Sequence, residues 1–195
     1  MLWQRSLVIR DIETGSLWSH ILGRCMQGPL KDKSFEFIPA TLTTWKDWKT
    51  KHPDSTVLNM SRTASTFIRD LLDEKYPVGY GIKIGQKTAA YSYRHLADHP
   101  VYEDKLSDQA VVIVFDAPST RTFAYECAVD DLALTFGDTL QDGLLIDEST
   151  QSKWDPWTGE AVEGSLKGKR LRPVYGLITY MNAWEKFYPD GQLIR

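Results

Sequence analysis

Apolar positions along the chain fall in short clusters separated by turn-forming residues, a pattern of many brief strands rather than long amphipathic helices. Leu7-Val8-Ile9 and Leu144-Leu145-Ile146 each form a short apolar run that closes near an aspartate. In both cases the residues up to Ser16 or Ser152 favour a turn, and Trp18 or Trp154 opens the next element. The spacing Gly-x-x-x-x-Gly-x-Leu at 23–30 and 159–166 predicts successive β-hairpins, with further strands at 35–38 and 171–174. The period then changes. Thr44 caps a helix expected over 45–51, with Trp45 and Trp48 on one face and Pro53 ending it; its counterpart is expected over 179–187, ended by Pro189. Between them the pattern predicts a helix at 66–72 and a strand at 78–84 broken by Gly79 and Gly81. A turn at Gly85-Gln86 leads into 88–91, and a short helix at 92–97 is stopped by Pro100. A hairpin of 110–115 and 121–125 is expected around Ala117-Pro118-Ser119. The fold class expected is α+β, mostly short antiparallel strands with a few short helices.

The chain also resembles itself. Shifted by 136 positions, residues 11–58 lie on residues 147–194 without a gap, with 13 identities in 48 positions. Composition alone gives roughly three. Asp11, Thr14, Ser16 and Trp18 fall on Asp147, Thr150, Ser152 and Trp154. Gly23, Gly28, Leu30, Lys31 and Lys33 fall on Gly159, Gly164, Leu166, Lys167 and Lys169; Thr43, Trp48, Pro53 and Asp54 fall on Thr179, Trp184, Pro189 and Asp190. The expectation is an internal pseudo-twofold repeat: a first repeat tail at 1–58 and a complete second repeat at 59–195, packed as one globular unit. Residues 59–136 have no counterpart in the chain, so the first tail lacks the front on which it would pack. Its apolar face is expected to find a partner, another copy or the single front.

Composition narrows the function. The 195 residues are 42% hydrophobic and 25% charged, as in ordinary globular domains. The apolar run at 111–115 is far short of the ~20 residues of a membrane span, so no membrane insertion is expected. Twenty-six acidic against 23 basic residues leave a net charge of −3, which argues against nucleic acid as the partner. Two cysteines build neither a disulfide framework nor a four-ligand zinc site. The first residues show no cationic stretch leading into an apolar one, so no signal peptide is expected within this chain.

Several spaced motifs resemble the prokaryotic family known as domain of unknown function 3179 (DUF3179). They are Asp11, Thr14-Gly15-Ser16-Leu17-Trp18, the stretch from Gly23 to Gly28-Pro29-Leu30, Trp45 with Trp48, and His52-Pro53. Residues 57–62, 85–91 and 154–159 add to the likeness, which covers nearly the whole chain. The resemblance implies an architecture and no settled activity. It implies export for many members, setting an extracytoplasmic location beside a cytoplasmic one. Members usually carry a Cys-Pro-x-Cys-like element in the front of their first unit; here the corresponding strand at 111–115 runs into Asp116-Ala117-Pro118 and offers no thiol. Cys25 stands where the family prefers alanine, which implies a small buried residue.

Candidate chemistry is sparse. His95 and His99 stand at i and i+4, a metal-chelating spacing on a helix, although Pro100 shortens that helix and no third ligand is near in sequence. Asp147 with a histidine could act as acid and base, and Ser61, His95 and Asp116 assemble a nucleophilic set without the turn that would position the serine. Trp18, Trp154, Trp48 and Trp184 recur at the same offset. Core packing is the ordinary role of such residues, and a cleft where indoles stack on a sugar or other flat ligand is the functional one, with Asp11 nearby. The glycines at 79–85 lack the spacing of a phosphate loop. These readings favour a non-catalytic ligand-binding or assembly module, a homo-oligomer through the first tail, with no cofactor. The alternative is a hydrolase-like or metal-dependent enzyme with a tryptophan-lined cleft.

Overall fold

The computed structural model describes residues 2–4, 6–38, 40–58, 71–72 and 75–195. The chain begins with an antiparallel meander in which β1 (Leu2–Trp3) pairs with β2 (Ser6–Arg10), β2 with β3 (Leu17–Ser19), and β3 with β4 (Arg24–Gln27). Helix α1 (Trp45–Lys51) follows. Its first turn is capped by the Thr44 hydroxyl, which accepts the Asp47 N–H at 3.2 Å.

The centre of the chain is a run of hairpins. β5 (Val78–Ile84) and β6 (Lys87–Ser92) pair across the turn at Gly85, and Ser92 caps helix α2 (Tyr93–Asp98). β7 (Val101–Leu106), β8 (Gln109–Asp116) and β9 (Arg121–Glu126) form an antiparallel sheet. A small ribbon of β10 (Ala128–Val129) and β11 (Leu132–Ala133) leads to β12 (Leu145–Ile146), β13 (Lys153–Asp155) and β14 (Glu160–Glu163), a second meander. β15 (Gly176–Tyr180), helix α3 (Met181–Phe187) and β16 (Gln192–Ile194) close the chain. β15 lies antiparallel on β5 and β16 parallel to β6, which gives a sheet ordered β15-β5-β6-β16.

The apolar run at 111–115 is continuous because β8 is buried on both faces. Val111, Ile113 and Phe115 pack with Tyr80, Tyr91, Tyr93 and Leu96, while Val112 and Val114 meet Leu145, Trp154, Ala161 and Leu171. Helix α3 covers the β5–β6 sheet, and there Gly79 and Gly81 have a packing role. A Cβ at Gly79 would run into Met181 Sδ, and one at Gly81 into the Trp184 ring.

The two meanders share their registers at the offset of 136. Ile9 faces Trp18 as Leu145 faces Trp154, Trp18 faces Cys25 as Trp154 faces Ala161, and each has a register shift just before its tryptophan. In both, an aspartate, a threonine and a serine close the turn. Thr14 N–H donates to Asp11 Oδ1 (2.6 Å), Thr150 N–H to Asp147 Oδ2 (3.1 Å), and the Ser16 and Ser152 hydroxyls accept the Leu30 and Leu166 N–H groups. Gly28 (φ 108°) and Gly164 (φ 92°) take left-handed conformations where a Cβ would strike Ser16 or Ser152.

The structure corrects several local expectations. Strand β5 is unbroken, its glycines being paired in register with Ser92 and Ala90. The segments 35–38 and 171–174 are not strands. They are irregular, flanked or touched only by isolated bridges such as Arg24–Ser34 and Tyr125–Pro173, and Pro173 has no N–H to extend a ladder. The last helix begins at Met181 rather than 179, because Thr179 and Tyr180 pair with Gly79 and Val78. Of the helix expected at 66–72, only Leu71 and Leu72 lie within the described residues, in a turn.

Candidate functional site

The residues singled out in the sequence do not converge. Asp147 is fully buried and its carboxylate accepts the Ser149 and Thr150 N–H groups, both at 3.1 Å, so it holds its turn together. Asp11 does the same for the first turn and also accepts the Trp18 indole N–H at 2.9 Å. That indole bond first, with the Thr14 N–H next, holds the Asp11 carboxyl down at about 2. Trp18 stacks on Phe35 with ring centroids 4.8 Å apart, and Trp154 is fully buried with its edge toward Phe136. Asp116 accepts from Ser119 and from Arg121 (3.0 Å), pinning the β8–β9 turn. Ser61 lies outside the described residues.

His95 and His99 do sit together, 4.6 Å between centroids, with Tyr102 edge-on to His95 at 4.8 Å. Burial and the neighbouring His99 lower the His95 pKa. Among the described residues no group of three histidine, cysteine or acidic side chains gathers around a common point, so the pair has no third ligand there. A carboxyl–thiol pair that the sequence reading did not single out lies at Glu103 and Cys127. Glu103 Oε1 accepts the Phe136 N–H (2.7 Å) and the Cys127 thiol (3.8 Å), and burial raises both pKa values. Cys127 is therefore held as a neutral thiol rather than a nucleophile.

Of the four recurring tryptophans, Trp48 lines a cavity of about 540 Å³. This cleft lies between α1, the start of β9, the β13–β14 turn and the approach to β15. Its aromatic lining is Trp48, His52, Tyr80, Phe123, Tyr125, Trp157 and Tyr175. Trp48 lies 4.1 Å from the His52 ring at 31° and 6.3 Å from Trp157 at 45°, and Phe123 lies 5.7 Å from Trp157. The Trp48 indole N–H is taken by Ser55 Oγ at 3.0 Å, which fixes the ring. Two cations sit on the Trp157 ring: Arg121, 4.4 Å from its centroid, and Lys51 Nζ, 5.3 Å away. Tyr125 donates to the Pro156 carbonyl at 2.8 Å, and Thr41 exchanges hydrogen bonds with the Thr122 backbone. Thus residues from both offset segments and from the centre build one wall each.

A smaller cavity, about 320 Å³, lies at the reciprocal place. Ile21 and Leu22 hold there the positions of Trp157 and Thr158, and Trp184 and Tyr188 those of Trp48 and His52. Tyr188 donates to the Ile21 carbonyl at 2.8 Å, so each hairpin reaches the other segment's helix. Strand β5 contributes Gly81 and Lys83 to this cavity.

The family model described as a protein of unknown function, DUF3179, matches residues 1–70 and residues 62–195. The chain belongs to that family. No curated protein and no solved structure matches it.

Proposed function

We propose that this DUF3179 member is a binding module that holds a flat, ring-bearing ligand in the cleft between α1 and the β13–β14 turn, and assembles through residues 1–58. The observation that carries the ligand is the aromatic wall of Trp48, His52, Phe123 and Trp157, set around about 540 Å³ of space. Rings so placed offer π faces to an aromatic ligand or to the apolar face of a sugar. Arg121 and Lys51 over Trp157 are each paired with a carboxylate, Asp116 and Asp155, so ring faces rather than net charge would select the ligand. Asp147, His95 and Asp116 lie outside this lining, and each is engaged in a turn or packed against neighbouring rings, which supports binding over catalysis.

The test is a titration of the intact chain with an anionic aromatic dye, 8-anilinonaphthalene-1-sulfonate, and with linear cello-oligosaccharides, followed by tryptophan fluorescence. Trp157→Ala is expected to weaken binding about tenfold, corresponding to ~1.4 kcal/mol, in a variant that still unfolds in one cooperative transition. Equal affinity in parent and variant would remove the cleft from the reading.

A further inference from the structure

The two cavities share a wall. Tyr175 and Gly176 line both, and Tyr175 keeps 41% of its surface exposed at the junction. Each cavity presents ring faces, Trp48 and Trp157 in the larger and Trp184 with Tyr188, 4.5 Å apart, in the smaller. They differ in charge. Among the described residues neither lining holds an aspartate or glutamate, and Lys83 is the one lysine or arginine in either. Lys83 lies on the face of β5 that carries Gly79 and Gly81, the face on which Met181 and Trp184 pack. Its side chain is exposed and enters no ion pair among the described residues, whereas Lys51 and Arg121 beside the larger cleft are held by Asp155 and Asp116.

We propose that the two cavities act as one extended site for a linear acidic oligosaccharide, with ring faces stacked at Trp48 and Trp157 and a carboxylate-bearing ring at Lys83; this rests on the ligand half of the reading above and extends it. A lone ring compound fills one cavity and leaves the other. A chain of linked rings uses both, because Tyr175 and Gly176 carry the wall from one to the next. Each cavity is by itself within the volume of a small-molecule site, about 300–1,000 Å³, so successive units of the chain have a place in each. The apolar faces of sugar rings suit indole and phenol rings, and Tyr175 offers its exposed ring to the unit that crosses the junction. Charge then sets the acidic character. With no carboxylate in the lining to oppose it or to pair with Lys83, an anionic ring gains an ion pair there, a neutral ring gains nothing, and a cationic ring is repelled.

The probes are β-1,4-linked oligoglucuronates and cello-oligosaccharides of two and six rings, which share a backbone and differ in the carboxylate. They are titrated into the full chain by isothermal calorimetry at low ionic strength. The expected result is one six-ring acidic chain per protein, bound about tenfold more tightly than the two-ring acid and about fivefold more tightly than the neutral six-ring chain. Lys83→Met should erase the preference for the acid and leave the neutral six-ring chain unchanged, and added salt should erode the same preference. Tyr175→Ala should remove the gain from two to six rings. The proposal is overturned if acidic and neutral six-ring chains bind alike, or if Lys83→Met leaves the preference intact. It is also overturned if two six-ring chains bind per protein, which would make the cavities independent sites, or if no oligosaccharide binds. The dye titration of Trp157→Ala separates the two failures: a loss of dye affinity keeps the cleft and removes only its extension, whereas no loss removes the cleft as well.

Discussion

Residues 11–58 and 147–194 share turn, register and helix, and differ chiefly in what covers them. Both hold an Asp-Thr-Ser turn, a shifted β-register at the tryptophan and a seven-residue helix ending on a Trp-anchored cap. Around the second, the β5–β6 hairpin and the β7–β9 sheet bury Trp154, Leu171, Val174 and Met181; around the first, the matching residues meet solvent. Hairpin and helix arise in both places, so they follow from local sequence. The strands at 176–180 and 192–194 arise only where β5 and β6 offer edges, so they follow from the partner. The difference separates what a segment encodes from what it borrows.

The largest expected effect tests that separation at the tryptophans. Trp154→Ala empties a fully buried site and should cost ~3–5 kcal/mol, whereas Trp18→Ala, at a half-buried stacked ring, should cost roughly 1–2 kcal/mol. Urea unfolding of the two variants reads the ratio directly, and equal losses would mean that the first segment is as well covered as the second. Next come the helix entries. Met181→Ala should cost about 2–3 kcal/mol, and Trp45→Ala, at an exposed ring, should change stability by no more than ~0.5 kcal/mol. The glycines should behave alike. Gly28→Ala and Gly164→Ala each force a side chain into a left-handed residue pressed on a serine, at roughly 1–3 kcal/mol, and a marked inequality would break the equivalence of the two turns.

Much of this was legible in the sequence because it is local. The offset of 136 carries the turn aspartates, the hairpin glycines and the Trp48 and Trp184 positions, and the apolar run at 111–115 reads as a strand whichever way its faces point. β7 was missed because Val101, Glu103 and Lys105 share a face without an apolar alternation. β16 was missed because its partner, β6, lies a hundred residues earlier and runs parallel. The cleft was harder still. Favouring tryptophans that recur at the offset pointed to Trp154, which is core, and away from Trp157, whose counterpart is Ile21. An aromatic wall assembled from helix α1, β9 and a distant turn leaves no spacing to read.

The smallest effect concerns the Asp11 carboxylate of the first turn. Asp11 titrates near 2 in the folded chain against an ordinary 3.8, chiefly because the Trp18 indole donates to it. A depressed carboxylate contributes its full stabilisation above its ordinary value of 3.8, where both states are ionised, and loses it progressively as pH falls through about 2. In the second meander Trp154 has no such partner, its indole nitrogen being buried without a hydrogen bond. Lowering the pH from 5 to 2 should therefore perturb the emission of Trp18 and not that of Trp154, which single-tryptophan difference spectra of Trp18→Phe and Trp154→Phe resolve. Asp11→Asn should flatten the Trp18 titration and lower the thermal midpoint slightly at pH 7, with no difference from the parent at pH 2. A Trp18 signal unchanged through this range would mean that the indole bond is not what holds the first turn, and the two meanders would then be closer in chemistry than their hydrogen bonds indicate.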